Sequence, residues 1–164
     1  MNESELNPTS PEFDDFSAYD DTDEENTPSE QEAPFAVLEA FKKAYPEAVN
    51  VKFEEEIKNG EPVYAVEFIN RGVDIEASYL ANGILIQIEQ EIQLEELPEA
   101  VTEAIMEAYP DAILIEAEKI MAADGSVRSY EVEIEDDDVE LEIHLDPNGT
   151  ILDSELETEA SEAE

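Results

Sequence analysis

The chain has no cysteine, one histidine and only seven basic residues in 164. Without cysteine there is no disulfide, no thiol nucleophile and no thiolate metal site. A lone histidine leaves zinc nothing but carboxylates, a poor ligand set. Seven bases stand against 47 acids, for a net charge of −40. Nucleic acid is excluded as a partner, because phosphates demand a basic footprint. Anionic membrane surfaces are disfavoured by the same charge. No apolar run approaches the length of a membrane span, so no membrane insertion is expected. The first residues, MNESELNPTS, lack a basic and an apolar region. No secretory signal is visible there, and the chain as written reads as cytoplasmic. Partners of opposite charge remain: cations, basic proteins and basic peptides.

What is present is a sentence said twice. Residues 34–48 read PFAVLEAFKKAYPEA and residues 98–112 read PEAVTEAIMEAYPDA, with 9 of 15 positions identical. Asn82-Gly83 returns as Asn148-Gly149, and the strand-like Tyr64–Phe68 returns as Tyr130–Ile134. A repeat of this length means one supersecondary unit used twice. A unit of roughly sixty residues buries only about 60% of its unfolded surface and is marginal alone. Two units sharing a sheet solve that problem.

Each unit reads as one helix and four strands. Val37, Phe41 and Tyr45 fall four apart, and Val101, Ile105 and Tyr109 do the same, giving one apolar stripe per helix. Pro46 and Pro110 push the preceding tyrosines out of helical geometry. Alternating runs then follow. In the first unit they are marked by Val51, Phe53 and Ile57, by Tyr64, Val66 and Phe68, by Val73, Ile75, Ala77 and Tyr79, and by Ile84, Ile86 and Ile88. In the second they fall at about 113–121, 127–135, 138–145 and 150–156, and Asn148-Gly149-Thr150 is read as a hairpin turn rather than a glycosylation acceptor. The expected fold is α+β: a tandem of α-β-β-β-β units, an antiparallel sheet with both helices on one face and an acidic open face in front. The expected divisions are an acidic tail over 1–32, repeat 1 over 33–94, repeat 2 over 95–157 and an acidic C-terminal tail over 158–164. The first tail holds twelve acids and no base, the composition of a disordered, solubilising segment. Phe13, Phe16 and Tyr19 punctuate its acids, which also suits docking on a basic groove.

The phrase LPEAVTEAIMEAYPDA, followed by acidic alternating strands and an Asn-Gly turn, resembles the PepSY-like family, also described as β-lactamase-inhibitor-like. The resemblance covers residues 33–157. It implies a non-enzymatic module, commonly extracytoplasmic, that binds or restrains proteins such as peptidases.

The candidate chemistry lies on the open face. Period-2 counting puts Glu67, Asp74 and Glu76 there, with Glu131, Glu133, Glu140 and Glu142 in the second copy. A register that sets Ile134 opposite Val139 makes Glu133 face Glu140 and Glu131 face Glu142, with Asp136, Asp137 and Asp138 at the turn. In the first copy Glu67 faces Asp74 and Ala65 faces Glu76. Like charges opposed in a sheet repel by a few tenths to about 1 kcal/mol per pair. An oxygen-only cluster of this kind suits Ca²⁺ or another hard, even trivalent, cation. Those seven acids are the candidate metal set. The competing readings are an acidic face for a basic protein or cationic partner, and a solvated surface adapted to a saline setting with no specific ligand. No cofactor is required by any of them. β-Lactamase inhibition itself is not expected, because the outward positions lack aromatic or arginine anchors. The same register sets Ser129 opposite His144 with Asp146 nearby. No oxyanion hole accompanies them, so the histidine reads as a surface residue and the chain as no enzyme. Tyr45, Phe53, Tyr64, Phe68, Tyr109 and Tyr130 read as helix-to-sheet packing, with only Tyr79 uncertain in facing.

Overall fold

The computed structural model describes residues 33–157. The expectations for 1–32 and 158–164 lie outside the described residues. Helix α1 (Phe35–Ala44) precedes strands β1 (Val49–Lys58), β2 (Glu61–Asn70), β3 (Val73–Leu80) and β4 (Leu85–Ile92). A single 3₁₀ turn (Leu94–Glu96) and helix α2 (Glu99–Ala108) lead to β5 (Ile113–Ala122), β6 (Val127–Asp136), β7 (Val139–Leu145) and β8 (Ile151–Leu156). All eight strands form one sheet in sequence order, and every neighbouring pair is antiparallel. The expected tandem of helix plus four-stranded meander is the observed architecture.

The helices end where the prolines require. Tyr45 and Tyr109 occupy matching C-terminal positions, with ψ of 67° and 77°. Their N–H groups still donate to Phe41 O and Ile105 O. Each helix sits on the same sheet face over its own core. Under α1 pack Val37, Phe41, Phe53, Val66, Phe68, Ala77 and Tyr79. Under α2 pack Leu97, Val101, Ile105, Val132, Ile134, Ile143 and Leu145, joined by Ile92 from β4. A strand of the first repeat therefore contributes to the second core, and the seam between β4 and β5 is continuous. Tyr79 is settled as core: it is nearly inaccessible, and burial first, then Tyr45, pushes its phenol up to about 12.

The core is shorter than alternation alone suggests. Val66, Phe68, Val132 and Ile134 are buried, and Ile75 and Leu141 pack partly against the clusters. Val73 is only half-buried, while Val139, Val51 and Ile57 are exposed. Ten helical residues span about 15 Å, whereas a ten-residue strand spans about 33 Å. The strand ends reach past the helices.

Two hairpins turn one residue later than expected. Arg71-Gly72 and Asp137-Asp138 are two-residue turns whose four residues all have positive φ. Aspartate tolerates this left-handed region better than most residues, so the β6–β7 ladder runs on to Asp136 opposite Val139. The pairing is thus two residues away from the expected register. Ile134 faces Leu141, Glu133 faces Glu142, Glu135 faces Glu140, and Glu131 faces His144. In the first copy Glu67 faces Glu76, Ala65 faces Ser78, and Asp74 faces Ile69. A shift of two keeps each side chain on its face and changes only its partner.

The Asn-Gly turns have a second duty. Gly83 and Gly149, with φ of +85° and +88°, lie against the first turn of α1 and α2. A Cβ at Gly83 would fall 2.5 Å from Ala36 O, and one at Gly149 would strike Ala100 O. Only glycine lets each β-hairpin pass this close beneath its helix.

Candidate functional site

The open face carries three rows of polar side chains that run across the strands. One row is Glu91, Glu118, Glu131, His144 and Asp153, each opposite the next on β4 to β8. A second is Glu116, Glu133, Glu142 and Glu155 on β5 to β8. The third begins Lys52, Glu67, Glu76 and Glu89 on β1 to β4, then continues through Ile120 and Ser129. The two repeats thus form one plate of carboxylates rather than two separate patches. Val63, Ala65, Ser78, Ile120 and Ser129 lie on this face by register yet are buried. Small side chains here form a floor beneath the stems of longer neighbours.

The acids gather in two shallow hollows. Glu116, Glu118, Glu131, Glu133 and Glu142 line one of about 130 Å³. Glu67, Asp74, Glu76, Glu89 and Glu118 line another of about 230 Å³. Glu118 belongs to both and joins them across the seam.

This crowding disfavours ionisation. Burial raises Glu131 to about 8, reinforced by the charge of Glu142 and by a hydrogen bond to it. Glu142 is raised as well, by burial first and then by a hydrogen bond with Glu157, although its bond with Glu131 acts in the other direction. Burial, then Glu89 and Glu116, raise Glu118 to about 7. Burial, then Glu89 and Glu67, raise Glu76 to about 7. Glu133 is raised by burial and then by Glu140 and Glu116. Glu91 is raised chiefly by a hydrogen bond with Asp74.

The seven acids expected as a metal set do not meet in one place. Glu131, Glu133 and Glu142 share a hollow. Glu140 and Asp138 line a different one beside Glu135 and Glu157. Asp136 pairs with Val139, and Asp137 forms the turn with Asp138. Among the described residues no three acids or histidines converge as metal ligands. The residues that sequence reasoning missed are Glu89, Glu91, Glu116 and Glu118, on the two strands flanking the seam. Their alternation with Ile88, Ile92 and Ala117 was the available signal.

His144 does not head a triad. Its Nε2 lies 2.8 Å from Ser129 Oγ, reached diagonally, while Glu131 and Asp153 flank it across the ladder. Asp146 accepts hydrogen bonds from the N–H groups of Asn148 and Thr150, which commits it to the β7–β8 turn.

Similarity to known proteins follows the fold. A family model described as "Putative beta-lactamase-inhibitor-like, PepSY-like" matches residues 6–87 and again residues 62–153. A solved structure from Bacteroides eggerthii, described as of "putative periplasmic proteins", superposes with a TM-score of 0.66 at 19% identity, covering 79% of this chain and 93% of that one. A DUF2874 family protein from Bacteroides uniformis gives 0.63 at 21% identity, covering 76% and 89%. A BLIP-like protein from Bacteroides fragilis gives 0.58 at 22%, covering 80% and 92%. No curated protein matches the chain. Among the described residues no helix is long and apolar enough to cross a membrane. With two tandem family matches laid over two helix-plus-meander units in one sheet, the chain belongs to the PepSY-like, β-lactamase-inhibitor-like family.

Proposed function

We propose that the chain is a non-catalytic binding module that takes a basic protein surface or peptide on the open face of its sheet. The observation that carries this reading is the continuity of the acid rows across the β4–β5 seam, with Glu118 shared by both hollows. Repelling carboxylates are costly while the face is empty, and an opposing positive charge reverses the sign of that interaction. A strip spanning all eight strands suits an extended or broad cationic partner better than a point charge. The description of the B. eggerthii relative as periplasmic supports an extracytoplasmic setting.

The alternative ligand is Ca²⁺ or a trivalent hard cation, held loosely among Glu116, Glu131, Glu133 and Glu142. The like-charged hollow favours it and the lack of a convergent ligand set opposes it. Calorimetric titration with a lysine-rich oligopeptide at fixed ionic strength and about pH 9, where Glu118 and Glu131 are ionised, decides between them. Saturable binding is expected, steeply weakened by salt, and reduced when Glu118→Gln and Glu131→Gln are combined. Unchanged binding by that double variant would remove the site from this face. A thermal shift with Ca²⁺ or a lanthanide that exceeds matched NaCl, with no peptide binding, would transfer the assignment to the metal.

A further inference from the structure

The helix side of the molecule carries a second surface, unrelated to the acidic plate. A groove of about 680 Å³ runs along the outer face of α1 to the β3–β4 turn. Phe35 and Leu38 give it an apolar wall, Lys42, Lys43 and Glu39 its charged rim, and Gly83 its far edge. Phe35 is 73% exposed, an unusual position for a phenylalanine, and Ile84 beside the turn is 56% exposed.

The second repeat shows that this surface is not required by the fold. At matching positions α2 has Glu99 for Phe35, Thr102 for Leu38, Met106 for Lys42 and Glu107 for Lys43. Thr150 stands where Ile84 does. Both helices nevertheless pack on their sheets in the same way. All five of these changes make the first repeat's surface more apolar or more basic. Lys42 and Lys43 are also the only adjacent pair of bases in a chain of net charge −40.

The chain supplies a segment of complementary character. Glu12–Glu25 reads EFDDFSAYDDTDEE, with Phe13, Phe16 and Tyr19 three apart among acids and no base. Three-residue spacing puts the rings along one side of a helical turn. The acidic plate repels this segment, whereas the lysines of α1 attract it. Thirteen residues separate Tyr19 from Ala33. They reach at most about 45 Å when extended, more than the length of about 15 Å of a ten-residue helix. We propose that the segment around Phe13, Phe16 and Tyr19 docks within its own chain onto the groove of α1, rings against Phe35 and Leu38, acids toward Lys42 and Lys43. The first repeat's helix thus holds an internal ligand that the second repeat's helix is not built to hold.

The absence of cysteine makes the test clean. A nitroxide on Ser17→Cys in the full-length, ¹⁵N-labelled protein reports which amides lie near the segment. Leu38, Lys42 and Gly83 are expected to lose most of their signal, while Thr102, Met106 and Gly149 keep theirs. Replacing Phe13, Phe16 and Tyr19 together by serine should restore the Gly83 signal, and so should Lys42→Glu with Lys43→Glu. Lys42 and Lys43 are exposed, so the fold survives their replacement. Equal broadening with and without the three rings would mean mere chain proximity and would overturn the proposal. Broadening in a mixture of nitroxide-labelled and separate ¹⁵N-labelled copies would assign the groove to another molecule's segment, which overturns it equally.

Discussion

The two repeats share a backbone and differ in what they place on it. The first core is aromatic: Phe41 meets Phe68, Phe53 and Tyr45 with ring centroids 4.9, 5.9 and 6.0 Å apart. The second is aliphatic, built on Ile105, Ile134, Ile143 and Leu145. On the open face Lys52 meets Glu67 at 3.6 Å. The matching pair in the second repeat is Glu116 opposite Glu133. Glu54 faces Ala65, where its counterpart Glu118 faces Glu131. The helix-and-meander unit is therefore specified by prolines, glycines and apolar period. The charge on its outer surfaces is left free to diverge.

The largest effects are expected where the cores are cut. Phe41→Ala should cost about 3–5 kcal/mol and Ile105→Ala about 2–5 kcal/mol, read from denaturant midpoints. Ile92 ties the second core to a strand of the first repeat. Each variant should still melt in one transition by far-UV dichroism and by tyrosine absorbance. Two separated transitions would show that the seam does not couple the repeats.

The glycines under the helices come next. Gly83→Ala and Gly149→Ala each combine a left-handed backbone, worth roughly 1–2 kcal/mol, with a clash against a helix carbonyl. A loss of about 2–3 kcal/mol is expected at either site, similar in both repeats. Gly125→Ala has the same positive φ but open space around its Cβ, so it should lose only the backbone part. A loss at Gly125 as large as at Gly149 would show that helix contact is not the cause.

Much of this was legible in the sequence, for identifiable reasons. Pro34, Pro46 and their counterparts bracket each helix, and alternation from Val66 to Phe68 or Val132 to Ile134 names the buried face without any structure. Register was harder, because it depends on two backbone torsions at Arg71 or Asp137 that composition does not fix. A turn centred one residue too early gives every carboxylate the wrong partner while leaving every facing correct. The seam was less legible still. Gln93 to Ala112 separate β4 from β5, so nothing local announces that Glu91 will lie opposite Glu118. The acid plate is a product of that long connection. Counting the outward members of residues 85–92 and 113–122 would have supplied its missing residues, though not their partners.

Protonation of the plate should make stability depend on pH in the direction opposite to that of carboxylates paired with bases. Glu76 and Glu118 are raised to about 7 and Glu131 to about 8, from an ordinary 4.5. The folded protein therefore holds protons that the unfolded chain releases. Stability from these groups is fully present below about pH 4.5 and is lost as pH rises through 7 to 8. All three are half-exposed, so solvent screening reduces the total to about 1–2 kcal/mol. Melting temperature should fall between pH 5 and pH 8.5, with the highest part of the window belonging to the second repeat. Glu131→Gln should flatten that part and raise stability at pH 8.5. A melting temperature that rises over this range would refute the crowded-carboxylate account.

The smallest effect tests the contrast between the repeats most directly. Glu116→Lys copies the first repeat's arrangement into the second, placing a base opposite Glu133 where an acid stood. Lys52→Glu does the reverse, placing an acid opposite Glu67. Cross-strand pairs of this kind are worth about 0.2–1 kcal/mol. The sites are largely open to solvent, which keeps the expected values at the lower end. At pH 8 and low salt, Glu116→Lys should stabilise and Lys52→Glu should destabilise. Glu116 also raises Glu118 and Glu133 by its charge, so removing it should lower both and shrink the pH dependence described above. Lys52 has no such reach into the second repeat's hollow, and its variant should leave the upper part of the pH window unchanged. Both stability changes should fade in molar salt, where the screening length falls to about 3 Å. If the two substitutions shift stability by equal amounts in the same direction, opposition across the strands is not what distinguishes the repeats.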